Sequence, residues 1–278
     1  MSSYLNFLNV FRDQKVPPTL PRKIRQLQKP LGLVLQMAFV KKFGSFGMQQ
    51  HFDLISRPQY AYGMLRAAVL AKQLGKQSTT VCEFGVWNGD GLAKMVKIAP
   101  KITKEYGIHF NIVGFESGEG LAPSLTHKDH PEIWAPGAFA SANILDLEQR
   151  FRGKAKLRIG KIEDTVDGFL DDVFLHETPI GFIAIDVDRY QATVSTLRAL
   201  KGSAEKYLPT VSVYLDDIAQ YESNKWCGEL AAIHEFNANH DRRKIDEDRT
   251  LYDRPITNAK WHKKMFAMHC FDHPARRE

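Results

Sequence analysis

The sequence predicts an α/β fold: a mostly parallel, Rossmann-like sheet with helices on both faces, preceded by an N-terminal helical cap. Three observations carry this expectation. From about residue 57 onward, apolar β-branched runs alternate with stretches of helical periodicity, the pattern of repeated strand–helix–strand units. Four of those runs end abruptly in acids: Glu83, then Glu116, then Asp186 with Asp188, then Asp216 with Asp217. The first opens into a helix through a glycine-rich turn, VCEFGVWNGDGLAKM.

Taken in order, residues 1–56 read as a basic leader or cap and residues 57–278 as the main domain. Pro17, Pro18, Pro21 and Pro30 break the leader. Pro58 opens a helix, YAYGMLRAAVLAKQLG, that ends near Gly75. The first strand runs into Glu83, and a helix follows from about Gly91 to Tyr106. FNIVGFE is a second strand, LEQRF a short helix and KLRIG a third strand. PIGFIAIDVD is a fourth strand, followed by a helix from Gln191 to Tyr207, and TVSVYLDD is a fifth. WCGELAAIHEFNANH has Trp226, Leu230, Ile233 and Phe236 near helical spacing. HDRRKIDEDRTLYDRP reads as a loop and KMFAMHCF as the last strand.

The chain has 278 residues, 44% hydrophobic and 25% charged, a composition of ordinary globular proteins. Its longest apolar run, Leu31 to Val40, cannot span a bilayer. No basic start joins an apolar run and a cleavage site, and Cys82, Cys227 and Cys270 are widely spaced, as reduced thiols are. The expected location is the cytoplasm, with no membrane partner. Net charge is +6, concentrated at the start: over residues 1–50, eight Lys and Arg face one acid, Asp13. A solvated helical cap explains this arm better than a nucleic-acid surface, because no aromatic-interleaved basic repeat accompanies it. Exchange of the arm between subunits is the route to a homo-oligomer.

The glycine turn points to a nucleotide-like ligand, since glycines allow close backbone approach and the helix start offers free N–H groups. A dinucleotide fold would place G-x-G-x-x-G after the strand. Here Glu83 precedes Gly85 and Gly89. That order resembles the first motif of class I S-adenosylmethionine (SAM) methyltransferases. Glu116, at the end of the second strand, can accept both hydroxyl protons of a ribose. Asp186, Asp188, Asp216 and Asp217 follow adjacent strands, where like charges repel unless a cation lies between them. Oxygen ligands suit Mg²⁺ or another divalent cation, and Asp186, Asp216 and Asp217 are the candidate ligands.

The ordered set GFESGEGLA, HPEIWAPGAF, FIAIDVDRYQATVSTL and VYLDD resembles the macrocin-type O-methyltransferase family across roughly residues 57–240. The resemblance implies a seven-stranded class I methyltransferase fold. It implies SAM held by Glu83, Gly85, Gly89, Glu116 and Ser117, with Asp164 near the adenine, and Mg²⁺ held by Asp186, Asp216 and Asp217. Trp134 and Phe139 would form a lid over a small-molecule acceptor such as a sugar, polyol or natural product. The chain departs from the family pattern at Ala122, at Arg189, where a Leu is usual, and at Pro209-Thr210. Asp186 is the candidate proton acceptor, with His269 and His273 as first alternatives. A nucleotide-dependent oxidoreductase, a non-catalytic SAM-fold protein and a nucleic-acid methyltransferase are the rival readings.

Overall fold

A computed structural model of the chain describes residues 31–130, 133–140, 143–171, 177–220, 223–255 and 259–276. The four leader prolines lie outside the described residues. The chain divides into two units, residues 1–44 and 45–278. Of the first, the described part is helix α1 (Leu31–Phe43), which ends on Lys41 and Lys42, cations that complement the helix dipole. No described helix is long and apolar enough to cross a membrane.

The second unit opens with α2 (Phe46–His51), where Ser45 Oγ accepts the Met48 N–H at 3.2 Å. α3 (Pro58–Gln73) has proline in its first turn, where the missing N–H is harmless. Then come β1 (Ser78–Phe84), α4 (Asp90–Tyr106), β2 (His109–Glu116), α5 (Ile144–Phe151) and β3 (Lys156–Ile159). α6 (Ile162–Leu170), β4 (Ile180–Ile185), α7 (Tyr190–Leu197) and β5 (Tyr207–Leu215) follow. α8 (Gly228–Asn239), β6 (Arg243–Glu247) and β7 (Met265–Cys270) close the chain.

The seven strands lie in the order β3-β2-β1-β4-β5-β7-β6. β7 runs antiparallel to both β5 and β6, and the other pairings are parallel. α3, α4 and α5 cover one face with a core that includes Tyr60, Met64, Leu92, Met95 and Phe182. α6, α7 and α8 cover the other over Phe84, Phe115, Phe169, Ile183 and Phe236. All six residues of β4 are buried, which is why it reads as an unbroken apolar run.

Register then fixes the functional edge. Phe84 pairs with Phe115 and with Ile185, and Ile185 pairs with Leu215. The next residues of β1, β4 and β5 therefore emerge at one height: Gly85, Asp186 and Asp216. Tyr214 pairs with Met265, which sets Lys264 beside Asp216.

Three local expectations are corrected. The helix expected from Gln191 to Tyr207 stops at Leu197 and passes through short 3-10 turns, and Tyr207 already begins β5. Trp226 lies before α8 and is exposed, so it is not part of the apolar stripe. The polar stretch after α8, expected as a loop, contains β6, the seventh strand. Only Arg243 and Ile245 of β6 are buried, and an edge strand carrying charge looks polar from sequence.

Candidate functional site

A cavity of about 1040 Å³ opens at the carboxyl ends of β1, β2, β4 and β5, where open α/β sheets bind ligands. Its wall begins at the glycine turn. Gly85 has φ +84, and a Cβ there would sit 1.8 Å from the Asp186 carbonyl oxygen. The Asp186 N–H donates to Phe84 O at 3.0 Å. The glycine thus lets β1 and β4 stay paired while both exit into the cavity.

Glu83 lies under the start of α4. A Cβ on Gly91 would stand 1.7 Å from Glu83 Oε1, so only glycine fits above this carboxylate. Tyr60 donates its hydroxyl to Oε1 at 2.5 Å, while Oε2 is buried with no hydrogen-bond partner among the described residues. Burial pushes the Glu83 carboxyl up to about 7, against the pull of Tyr60, Arg57 and the Leu92 N–H. The motif residue is therefore partly a buried support for the turn and partly a cavity wall.

Glu116 organises the loops above. Its Oε2 accepts the Trp87 N–H at 2.6 Å, and its Oε1 accepts the Gly118 N–H at 2.8 Å. Each oxygen keeps a second lone-pair site for a ligand hydroxyl. Ser117 lines the cavity beside it, accepting the Glu119 N–H at 3.2 Å.

The floor is acidic. Asp186, Asp216 and Asp217 each present a carboxylate oxygen, and the three atoms lie within 4.8 Å of one another. Asp216 Oδ1 accepts the Tyr214 hydroxyl at 2.5 Å, and Lys264 approaches the same oxygen at 3.4 Å. Asp217 Oδ1 accepts from Gln220 Nε2 at 3.0 Å. Its Oδ2 is buried without a hydrogen-bond partner among the described residues. Burial, then the charges of Asp216 and Asp217, hold the Asp186 carboxyl well above its ordinary range. Burial and Asp217 push Asp188 up to about 8, and burial and Asp216 push Asp217 up to about 6. Such crowding is relieved by a hard divalent cation, and the donor set fits Mg²⁺ in chemistry, number and separation.

β4 leaves this floor through a tight turn. Asp188 has φ +63, and the Arg189 N–H closes back on Val187 O at 2.7 Å, a three-residue turn that is rare and strained for a non-glycine residue. Trp134 and Phe139 line the cavity from the segment after β2. Their ring centroids are 6.3 Å apart, and Phe139 also meets Trp87 at 5.7 Å. Arg189 Nη2 donates to Trp134 O at 3.0 Å. Asp129 accepts the Leu125, Thr126 and Gln191 N–H groups, which ties the same segment to α7.

Some expected residues stand elsewhere. Gly89 packs against Leu147 and Phe151 of α5 rather than lining the cavity. Asp164 is exposed on the first turn of α6, and its neighbour Glu163 lines the cavity. His269 pairs with Thr210 near the start of β5, and His273 Nε2 lies 3.1 Å from Tyr207 O. Both belong to the opposite edge of the sheet, away from Asp186. Conversely, Arg57 and Trp87 line the cavity without having been singled out. Trp87 sits between Gly85 and Gly89, a position that marks it once the turn is recognised, whereas Arg57 precedes Pro58 at the start of α3, where the sequence carries no such signal. Glu229, 1% exposed, also lay outside the expectation. Its Oε2 accepts the Asp217 N–H at 3.1 Å.

The backbone is similar to the solved structure of the O-methyltransferase NovP, with a TM-score of 0.50 and 14% sequence identity over 76% of this chain and 79% of that one. The calicheamicin methyltransferase CalS11 aligns over 86% of this chain and 91% of its own, at 17% identity and a TM-score of 0.49. No family model matches the sequence, and no curated protein matches it significantly. The fold is that of the class I methyltransferases. At such identities the likeness concerns the fold, and the chemistry must be argued from the site.

Proposed function

We propose that the chain is a SAM-dependent, Mg²⁺-dependent O-methyltransferase of the macrocin type, acting on a hydroxyl of a small molecule. The observation that carries this reading is the juxtaposition of three strand-end carboxylates within 4.8 Å with a glycine turn and a strand-end glutamate in one cavity.

Glu116 would accept the ribose hydroxyls of SAM, and the turn from Glu83 to Trp87 would hold its methionine part. Asp186, Asp216 and Asp217 would hold Mg²⁺. When bound, SAM supplies an electrophilic methyl group and Mg²⁺ a positive charge that acidifies an acceptor hydroxyl. The chain's own part is orientation and proton removal. Asp186 is the proton acceptor as well as a metal ligand: its carboxylate stands on the cavity floor beside Asp216 and Asp217, and no histidine competes for that place among the described residues lining the cavity. Trp134 and Phe139 exclude water above it. The partner is then a small acceptor, and neither nucleic acid nor membrane is needed.

Calorimetry with S-adenosylhomocysteine, in Mg²⁺ and then in EDTA, tests the reading. Micromolar binding that survives EDTA supports it and reserves the metal for the acceptor. Absence of binding in both conditions sinks it, and tight NAD(H) binding in its place would favour the oxidoreductase.

A further inference from the structure

Arg189 carries a guanidinium whose hydrogen-bonding capacity the described residues leave largely unfilled. It sits at the start of α7, directly after the strained Asp188 turn, and is 3% exposed. A guanidinium remains charged at any physiological pH, and a buried charge normally finds a partner. Only Nη2 does so here, on the Trp134 carbonyl. Nε and Nη1 are buried and have no hydrogen-bond partner among the described residues. The nearby acids Asp129 and Asp188 attract it, but Asp129 spends its oxygens on the Leu125, Thr126 and Gln191 N–H groups. Arg189 lines the cavity between the lid and the acidic floor.

We propose that Arg189 recognises a carboxylate on the acceptor, so that the substrate class is hydroxylated carboxylic acids. The proposal rests on the methyl-transfer reading above and narrows it. The side chain follows β4 and holds the Trp134 segment, whereas the proposed SAM contacts come from β1 and β2. It therefore faces the acceptor side. A single guanidinium suits a monoanion, and a dianion such as a phosphate monoester would meet the acids of the floor with one charge unmatched. Leu at this place would cover the wall with no such discrimination.

The test is calorimetry with two matched probes, 3,4-dihydroxybenzoate and 3,4-dihydroxybenzamide, in Mg²⁺ and S-adenosylhomocysteine. The wild-type protein should bind the benzoate at least ~10-fold more tightly than the amide, the size expected of a charge-assisted contact. Arg189→Leu should bring the two affinities together, and Arg189→Lys should keep part of the preference. If neither variant folds, the wild-type ratio decides alone. Equal affinity for both probes, including no measurable binding of either, overturns the proposal. So does an Arg189→Leu protein that loses S-adenosylhomocysteine, because the guanidinium would then serve the cofactor's own carboxylate. Failure of the wild type to bind S-adenosylhomocysteine sinks the methyl-transfer reading with it, whereas retained binding without benzoate preference sinks only the Arg189 assignment.

Discussion

The two ends of β5 use charge in opposite ways. At the Tyr207 end the polar groups of Tyr207 and Arg243 are matched. Tyr207 donates to Ala199 O at 2.8 Å and accepts the Gly202 N–H at 2.7 Å. Arg243 Nη1 donates to Leu200 O and Gly202 O, and its Nη2 meets Asp272 at 3.0 Å. At the Leu215 end, Asp216 and Asp217 face Asp186, and Asp217 Oδ2 and Glu229 Oε1 are buried with no hydrogen-bond partner among the described residues. One end therefore spends its polar groups on holding the fold. The other keeps repulsion that a bound cation or added protons relieve. Residues at the two ends should separate cleanly into stability and activity effects.

The largest expected effect is on activity. Asp216→Ala should lower methyl transfer by about 10³-fold or more, the loss expected when a metal ligand worth several kcal/mol goes. Binding of S-adenosylhomocysteine should stay within about twofold, since its proposed contacts are distant in the cavity. Product formation and calorimetry on the same preparation measure both. Full activity in this variant, or in excess EDTA, would falsify the metal role. The opposite end should behave inversely. Arg243→Ala strands Asp272 and two carbonyls and should destabilise by about 3 kcal/mol, with a melting temperature lower by roughly 6–12 °C. Activity per folded molecule should not change. A large loss of turnover at full folding would break the division between the two ends.

That division also separates what the sequence reveals from what it hides. The acids at the functional edge are legible because each follows its own apolar run directly, and parallel register brings neighbouring ends to one height. Glu116, Asp186, Asp216 and Asp217 are found in this way. Arg57 is harder to see, because its role depends on α3 packing beside β4. Glu229 is harder still: it lies in the first turn of an ordinary helix, and only the fold sets it behind Asp217. β6 is hidden for a different reason. Its inward residues are Arg243 and Ile245, and the arginine is buried by a salt bridge rather than by apolarity. The Gln191 helix was overextended because Ala199 and Leu200 continue a helical pattern that Gly202 interrupts.

Proton linkage gives the next effect. In the folded, metal-free protein, Asp188 sits at about 8, Glu83 at about 7 and Asp217 at about 6, all above the values near 4 of an unfolded chain. Each group contributes stability that is fully present below its unfolded pKa and lost as pH rises through the folded value. The metal-free protein should therefore melt roughly 5–10 °C lower at pH 8.5 than at pH 5, and Mg²⁺ at pH 8.5 should recover most of that loss. Asp272 has the opposite sign. Burial alone would raise it, but Arg243 outweighs burial and holds it below the usual carboxylate range. Its contribution is present at neutral pH and is lost as pH falls through that lowered value. Melting curves in EDTA and in Mg²⁺ measure the slope, and a flat profile in EDTA would show that the acidic floor is not under strain.

The smallest expected effect tests whether that strain extends behind the floor. Burial, and then the charge of Asp217, push the Glu229 carboxyl well above its ordinary value, which favours its neutral form. Glutamine has the same shape and can accept the Asp217 N–H in its place. Glu229→Gln should therefore shift the melting temperature by less than about 2 °C, under 1 kcal/mol, and leave the pH slope unchanged. Glu229→Ala should cost about 2 kcal/mol, because it opens a cavity and leaves the Asp217 N–H without an acceptor. A Glu229→Gln protein that gains several degrees at pH 8.5 but not at pH 5 would mean that Glu229 is ionised in the fold. The repulsion at this end of β5 would then extend from Asp186, Asp188, Asp216 and Asp217 to a fifth carboxylate.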